Sequence, residues 1–321
     1  MFLTIVGGAI GIAAVLLAVT YARCGAEMRA ARARLVAGSE ILKTEGGEIE
    51  YAVEEDAEDG VEVREEATAV LSLHGAGGGY DQGLWAAKMA MGDGHKVISV
   101  SRYGYLRTPI PRKASIKTQA AIYAALLEHL KVQKVILLGV SAGGPSATQF
   151  ANDYPERTAA LILISAVSEA AVEGDKPAFF IGIINLIQKS DYAYWLFAKF
   201  MQPAILNLMG MPAKVYAKLT PAQKEMAQEM LDTMHPMTER YAGTMNDGEM
   251  LRREAVTAEN VSAPTLILHA KDDALVNFRH AERAHAAIAG SRLESFETGG
   301  HGLLPQMEAV QREVREFLQG S

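Results

Sequence analysis

The run Val135-Ile136-Leu137-Leu138 passes directly into Gly139-Val140-Ser141-Ala142-Gly143-Gly144. Four consecutive apolar residues show no alternation, so a strand made of them must be covered on both faces, as strands inside parallel sheets are. The small residues that follow remove side-chain volume where the chain must turn sharply from that strand into a helix, and they leave one hydroxyl exposed at the turn. This single stretch therefore predicts a buried strand, a tight turn and a helix beginning at or just after Ser141.

The same alternation recurs along the chain. Strands are expected at Ile49–Val53, Val70–His74, Val97–Val100, Val135–Leu138, Leu161–Ile164, Thr265–His269 and Arg292–Glu297; helices at Ser115–Leu130, Ser141–Asp153, Phe278–Ile288 and Leu303–Leu318. Strands alternating with helices imply a mostly parallel, doubly wound sheet covered on both faces. The acidic stretch 54–66 interrupts the pattern and reads as a solvated hairpin loop. With 321 residues, 49% of them hydrophobic, one large core with an inserted subdomain is affordable.

Composition narrows the partners. A formal charge of −7 without a long Lys/Arg block excludes a phosphate-neutralising surface, so no nucleic acid is expected. Cys24 is the only cysteine, which excludes an intramolecular disulfide and a cysteine-rich zinc site. No histidine pair has a metal-ligand context, since His280 and His285 lie slightly off one helical face. Neither a metal nor a cofactor is expected.

Phe2 to Ala22 carries no charged side chain and, as a helix, spans roughly 30 Å, the thickness of a hydrocarbon core. The positively charged leader of an export signal is missing, which favours an uncleaved anchor over a signal peptide removed near residue 23. Arg23, Arg29, Arg32 and Arg34 follow the run, placing the rest of the chain on the cytoplasmic side of a single-pass membrane protein. Gly7 and Gly11 form a GxxxG that would let two such helices approach, a weak homodimer signal. A helical connector is expected over Ala26–Ala37.

Gly139-Val140-Ser141-Ala142-Gly143 is a GxSxG turn of the kind that presents a nucleophilic serine at a strand's end. A glycine-rich turn with a serine cap is the purely structural alternative. Three features weigh against it. His74-Gly75-Ala76-Gly77-Gly78-Gly79 follows a strand, where backbone N–H groups can face a developing oxyanion. An acid lies just past the strand in "LILHAKDDALV", and His301 sits in the glycine-flanked loop "ETGGHGLLP".

This order of serine, acid and histidine, with the glycine-rich loop before them, resembles the α/β-hydrolase superfamily from about residue 40 onward. The resemblance implies Ser141 as nucleophile, His301 as general base and acid, and an aspartate to orient the imidazole. Asp272 and Asp273 compete for that role; the family's loop spacing picks Asp273, with Val276 following and Asp272 as a solvated neighbour. It also implies an oxyanion hole from the N–H groups of Ala142 and Ala76, with Gly77 as runner-up, supported by His74. Serine at the turn argues against the haloalkane dehalogenases and epoxide hydrolases, whose relatives carry aspartate there.

The resulting division is an anchor over 1–23, a connector over 24–38, a core over 39–167 and 259–321, and a helical cap over 168–258 inserted after the sixth strand. The cap region holds nine of the fourteen methionines together with Phe179, Phe180, Tyr192, Tyr194, Trp195, Phe197 and Phe200. Taken together, such a lining suits a small ester with a hydrophobic portion. Alternatives are carbon–carbon or amide cleavage or acyl transfer by the same triad, and a silent hydrolase-like module that only binds a small ligand.

Overall fold

The computed structural model of the chain describes residues 2–55, 68–170 and 186–320, with the side chains of residues 2–10 excepted. The greater part of the acidic stretch 54–66, Phe179-Phe180 and the neighbouring residues to 185 lie outside the described residues.

Eight strands form one sheet in the order β1-β2-β4-β3-β5-β6-β7-β8. They are β1 (Glu40–Thr44), β2 (Gly47–Glu55), β3 (Ala69–Leu73), β4 (Lys96–Val100), β5 (Val135–Val140), β6 (Thr158–Ile164), β7 (Thr265–Ala270) and β8 (Arg292–Phe296). From β4 to β8 every pairing is parallel, and only β2 runs antiparallel to its neighbours.

The apolar runs are buried on both sides, as their lack of alternation requires. Val135 and Leu137 of β5 join a core cluster with Tyr123, Leu127 and Phe150, whereas Ile136 and Leu138 join the opposite one with Ala87, Val310 and Val314. Helices α3 (Ile116–His129), α4 (Gly144–Asp153) and α10 (Arg279–Ala287) thus cover one face, and α2 (Tyr80–Met91) with α11 (Met307–Gln319) covers the other.

Two elements escape the sequence reading. Strand β1 pairs only with β2 at the sheet edge and is mostly exposed, so it has no apolar run. Helix α2 carries Gly83 in its interior, where a Cβ would collide with Ser99 Oγ of β4. The glycine that weakens the helical signal is what lets the helix lie against the sheet.

Between β6 and β7 the described residues form α5 (Asp191–Phe200), α6 (Gln202–Leu208), α7 (Ala213–Tyr216), α8 (Pro221–Asp232) and α9 (Tyr241–Arg253). Most of their buried residues form a cluster of their own, centred on Tyr194, Leu206, Leu231 and Met237.

The expected anchor and connector are one continuous helix, α1 (Phe2–Ala37). Its Gly11–Ala37 portion is long and apolar enough to cross a membrane, and only 11% of the most apolar window is buried in the protein. Its C-terminal half docks on the cap: Cys24 and Met28 pack against Trp195, and the Trp195 indole N–H donates to Glu27 at 2.7 Å. Arg32 binds Asp191 at 2.8 Å, and Tyr80 Oη donates to the Leu35 carbonyl at 2.9 Å.

Candidate active site

The chain runs from β3 to β4 on one side and then to β5 on the other, so the carboxyl ends of β3 and β5 flank the point where strand order reverses. Ligand sites in open parallel sheets form at such points. The glycine-rich loop leaves β3 there and the Ser141 turn leaves β5.

Ser141 opens a single 3-10 turn, Ser141–Gly143, and holds φ of +52°, a left-handed conformation that costs a non-glycine residue about 1–3 kcal/mol. Crowding accounts for its small neighbours. A Cβ on Gly143 would run into the Leu73 carbonyl oxygen of β3, and one on Gly139 would come within 2.7 Å of the Ala147 Cβ.

The structure brings Ser141, His301 and Asp273 together. Ser141 Oγ lies 3.0 Å from His301 Nε2, and His301 Nδ1 lies 2.8 Å from Asp273 Oδ2. Asp273 Oδ1 accepts the N–H groups of Leu275 and Val276 at 2.8 and 2.9 Å. Burial alone would raise the Asp273 pKa, but the facing His301 and the hydrogen bonds of His269 and His301 outweigh it and hold the carboxyl well below the usual range. An ionised Asp273 must receive a hydrogen, so Nδ1 carries the imidazole proton and Nε2 turns its lone pair to Ser141.

Asp272 is not the solvated neighbour expected. It is half-buried, and its Oδ1 accepts the N–H groups of Gly299 and Gly300 at 2.8 Å each, tying down the loop that ends in His301. The doublet therefore divides its work: one carboxylate faces the imidazole and the other fixes its loop. The cap contributes as well, since the Gly210 carbonyl accepts the N–H groups of both Ala274 and His301 at 3.1 Å. No sequence pattern marked Gly210.

In the glycine-rich loop the Gly75 N–H is occupied by Gln82 Oε1 at 3.2 Å. Ala76 lines the same cavity as Ser141 and His301, whereas Gly77 faces the cap methionines Met234 and Met237. Ala142 follows Ser141 within the 3-10 turn. His74 is fully buried, accepts the Arg102 backbone N–H at Nε2 and so donates from Nδ1 to the Gly75 carbonyl at 2.7 Å. Burial and the adjacent Arg102 guanidinium push its pKa far down, consistent with that neutral tautomer.

The cavity is walled largely by Trp85, Met89, Met209, Met211, Met230 and Met307, and among the described residues no Asp, Glu, Lys or Arg lines it. The methionine lining thus comes from the core helices α2 and α11 as well as the cap. Of the expected cap aromatics, those among the described residues are elsewhere: Trp195 packs on α1, Tyr194 is inside the cap, and Phe200 is exposed. Trp85 was missed together with α2. Among the described residues no group of three or more His, Cys, Asp or Glu side chains is placed to hold a metal.

Comparison with known proteins agrees with this architecture. Residues 68–306 match the family model of the α/β-hydrolase fold, and the chain belongs to that family. The uncharacterised hydrolase YcgS of Bacillus subtilis is 27% identical over 85% of this chain and 94% of its own. A 2-hydroxy-6-oxononadienedioate/2-hydroxy-6-oxononatrienedioate hydrolase of Pseudomonas putida is 26% identical over 79% and 89%. The solved α/β-hydrolase fold protein of Nakamurella multipartita superposes with a TM-score of 0.73 at 25% identity, covering 88% of this chain and 99% of that one.

Proposed function

We propose that this protein is a lidded serine hydrolase of carboxylic esters with a hydrophobic portion, held to a membrane by α1. The observation that carries the reading is the unbroken hydrogen-bond chain from Ser141 through His301 to Asp273 at a methionine-lined cavity. His301 Nε2 takes the Ser141 proton as Oγ attacks the ester carbonyl carbon, and the carbonyl electron pair moves onto oxygen. The N–H groups of Ala76 and Ala142 receive that oxyanion. As the pair returns, the alcohol leaves with the proton from His301, and a water molecule repeats the sequence on the acyl-enzyme.

Among the described residues the lining holds no Asp, Glu, Lys or Arg, which favours an ester over a dicarboxylate such as the substrate named for the Pseudomonas putida relative, whose two carboxylates those residues would leave unpaired. A fluorophosphonate probe should label Ser141, and p-nitrophenyl ester turnover should rise from acetyl to medium chains, each buried methylene adding up to about 0.8 kcal/mol. Acetyl-only or charged-substrate preference would overturn the apolar-acyl reading.

The apolar half of α1 supports the anchor: Ile12, Val15, Leu16, Leu17 and Val19 are all exposed. Thr20 Oγ1 and Tyr192 Oη are 2.7 Å apart, and Tyr21 packs edge-on to the same ring, so cleavage near residue 23 would cut a docked helix. The protein should resist carbonate extraction, with the hydrolase domain digested only after the membrane is opened. A soluble product starting near residue 23 would show an export signal instead.

A further inference from the structure

The glycine-rich loop is gripped from outside the triad. Arg102, in the loop after β4, is 1% exposed; its Nε–H donates to the His74 carbonyl at 2.9 Å and its Nη2 reaches the Gly75 carbonyl at 3.3 Å. The remaining edge of the guanidinium forms a two-pronged pair with Asp247 of α9, at 2.6 and 2.7 Å. Tyr105 Oη adds a 2.6 Å hydrogen bond to the same carboxylate, and its ring lies 4.9 Å from the Arg102 guanidinium carbon. Asp247 belongs to the cap and is itself buried.

A trans peptide directs its carbonyl and its N–H to opposite sides. Holding the Gly75 carbonyl toward His74 Nδ1 and Arg102 therefore aims the Ala76 N–H the other way, toward the cavity that Ala76 shares with Ser141. Just beyond the loop, the cap residue Arg240 forms a second two-pronged pair with Asp81 of α2 at 2.9 Å and donates to the His235 carbonyl at 2.8 Å. The loop is thus bracketed by two ion pairs, one buried and one part-buried, each with one partner in the cap.

We infer that Arg102 and Asp247 are positioning residues: their pair couples the seating of the cap to the aim of the Ala76 N–H, so that the oxyanion site is complete only when the cap is docked. The role rests on the serine-hydrolase reading above. An Arg–carboxylate fork fixes direction as well as distance, which a lone hydrogen bond to the loop would not.

The test uses the full-length chain in detergent micelles with p-nitrophenyl butyrate and a trifluoromethyl ketone that mimics the tetrahedral adduct. The double variant Arg102→Met/Asp247→Leu removes the pair without stranding a buried charge, and Asp247→Asn provides a near-isosteric second variant. With thermal unfolding showing a folded protein, kcat should fall about 10- to 100-fold, part of what removal of a whole oxyanion donor costs, while KM stays within about 3-fold. The ketone should weaken by a factor similar to the loss in kcat. Wild-type kcat and ketone affinity in either folded variant would overturn the positioning role alone. A wild-type chain that neither turns over esters nor labels with fluorophosphonate would overturn the hydrolase reading and this role with it.

Discussion

Ser141, Asp273 and His301 stand at the carboxyl ends of β5, β7 and β8, each within five residues of the strand that carries it, and the loops of Asp273 and His301 are held by Asp272 and by the cap carbonyl of Gly210. The glycine-rich loop after β3 stands at a strand end too, but Arg102 ties it to Asp247, and Arg240 pairs with Asp81 just beyond it. The triad half is held by hydrogen bonds between loops, including one cap carbonyl, whereas the glycine-rich half is backed by ion pairs whose cap partners, Asp247 and Arg240, lie more than a hundred residues along the chain. Chemistry-bearing groups need a rigid short tether, whereas an aimed backbone N–H needs its own carbonyl held from behind.

Substitutions in the strand-end half should have the largest effects. Ser141→Ala should lower kcat by about 10^5-fold or more in a folded protein, because the nucleophile is removed while no core cavity is opened. Retention of more than a few per cent of turnover would reject Ser141.

Asp273→Asn should cost about 10^4-fold in kcat, since an amide favours the wrong imidazole tautomer. An equal loss at Asp272 would erase the division of labour between the two carboxylates.

For Asp272 the expected loss is smaller and depends on the replacement. Asp272→Ala frees the N–H groups of Gly299 and Gly300 and loosens the His301 loop, lowering kcat about 10-fold through misplacement. Asp272→Asn keeps an oxygen acceptor and should stay within about 3-fold. Loop order by hydrogen exchange should follow the same ranking.

The smallest effect on chemistry should come from the cap interior. His235 is buried, neither ring nitrogen has a hydrogen-bond partner among the described residues, and burial, partly offset by Asp232, pushes its pKa down to about 4. A depressed histidine leaves the unfolded chain binding the extra proton, so this contribution to stability is lost as pH falls below about 6.5 toward 4. The term is about 2 kcal/mol between pH 7 and 5. His235→Leu should flatten that part of the Tm–pH profile and leave kcat near wild type; an unchanged profile would remove His235 as its source.

What the amino-acid sequence determines by itself is the parallel core and the three residues, Ser141, Asp273 and His301, proposed to carry the chemistry. Unalternating runs such as Val135–Leu138 can be satisfied only by burial on both faces, and the glycines at 139 and 143 are required by the Ala147 side chain and the Leu73 carbonyl they nearly touch. The doublet at 272–273 is legible as a site, yet the duty of Asp272 is not, because its partners Gly299 and Gly300 are supplied by another loop. Helix α2, and Trp85 with it, is masked by Gly83, whose reason is a contact with β4. The methionines were visible as a group, but which of them face the cavity, and that Met89 and Met307 of the core join them, depends on how the cap is seated. Gly210, Asp247 and Arg240 carry no local signature at all: a carbonyl or an ion pair that fixes a loop far along the chain acquires its meaning only when folding brings the two ends of the contact together.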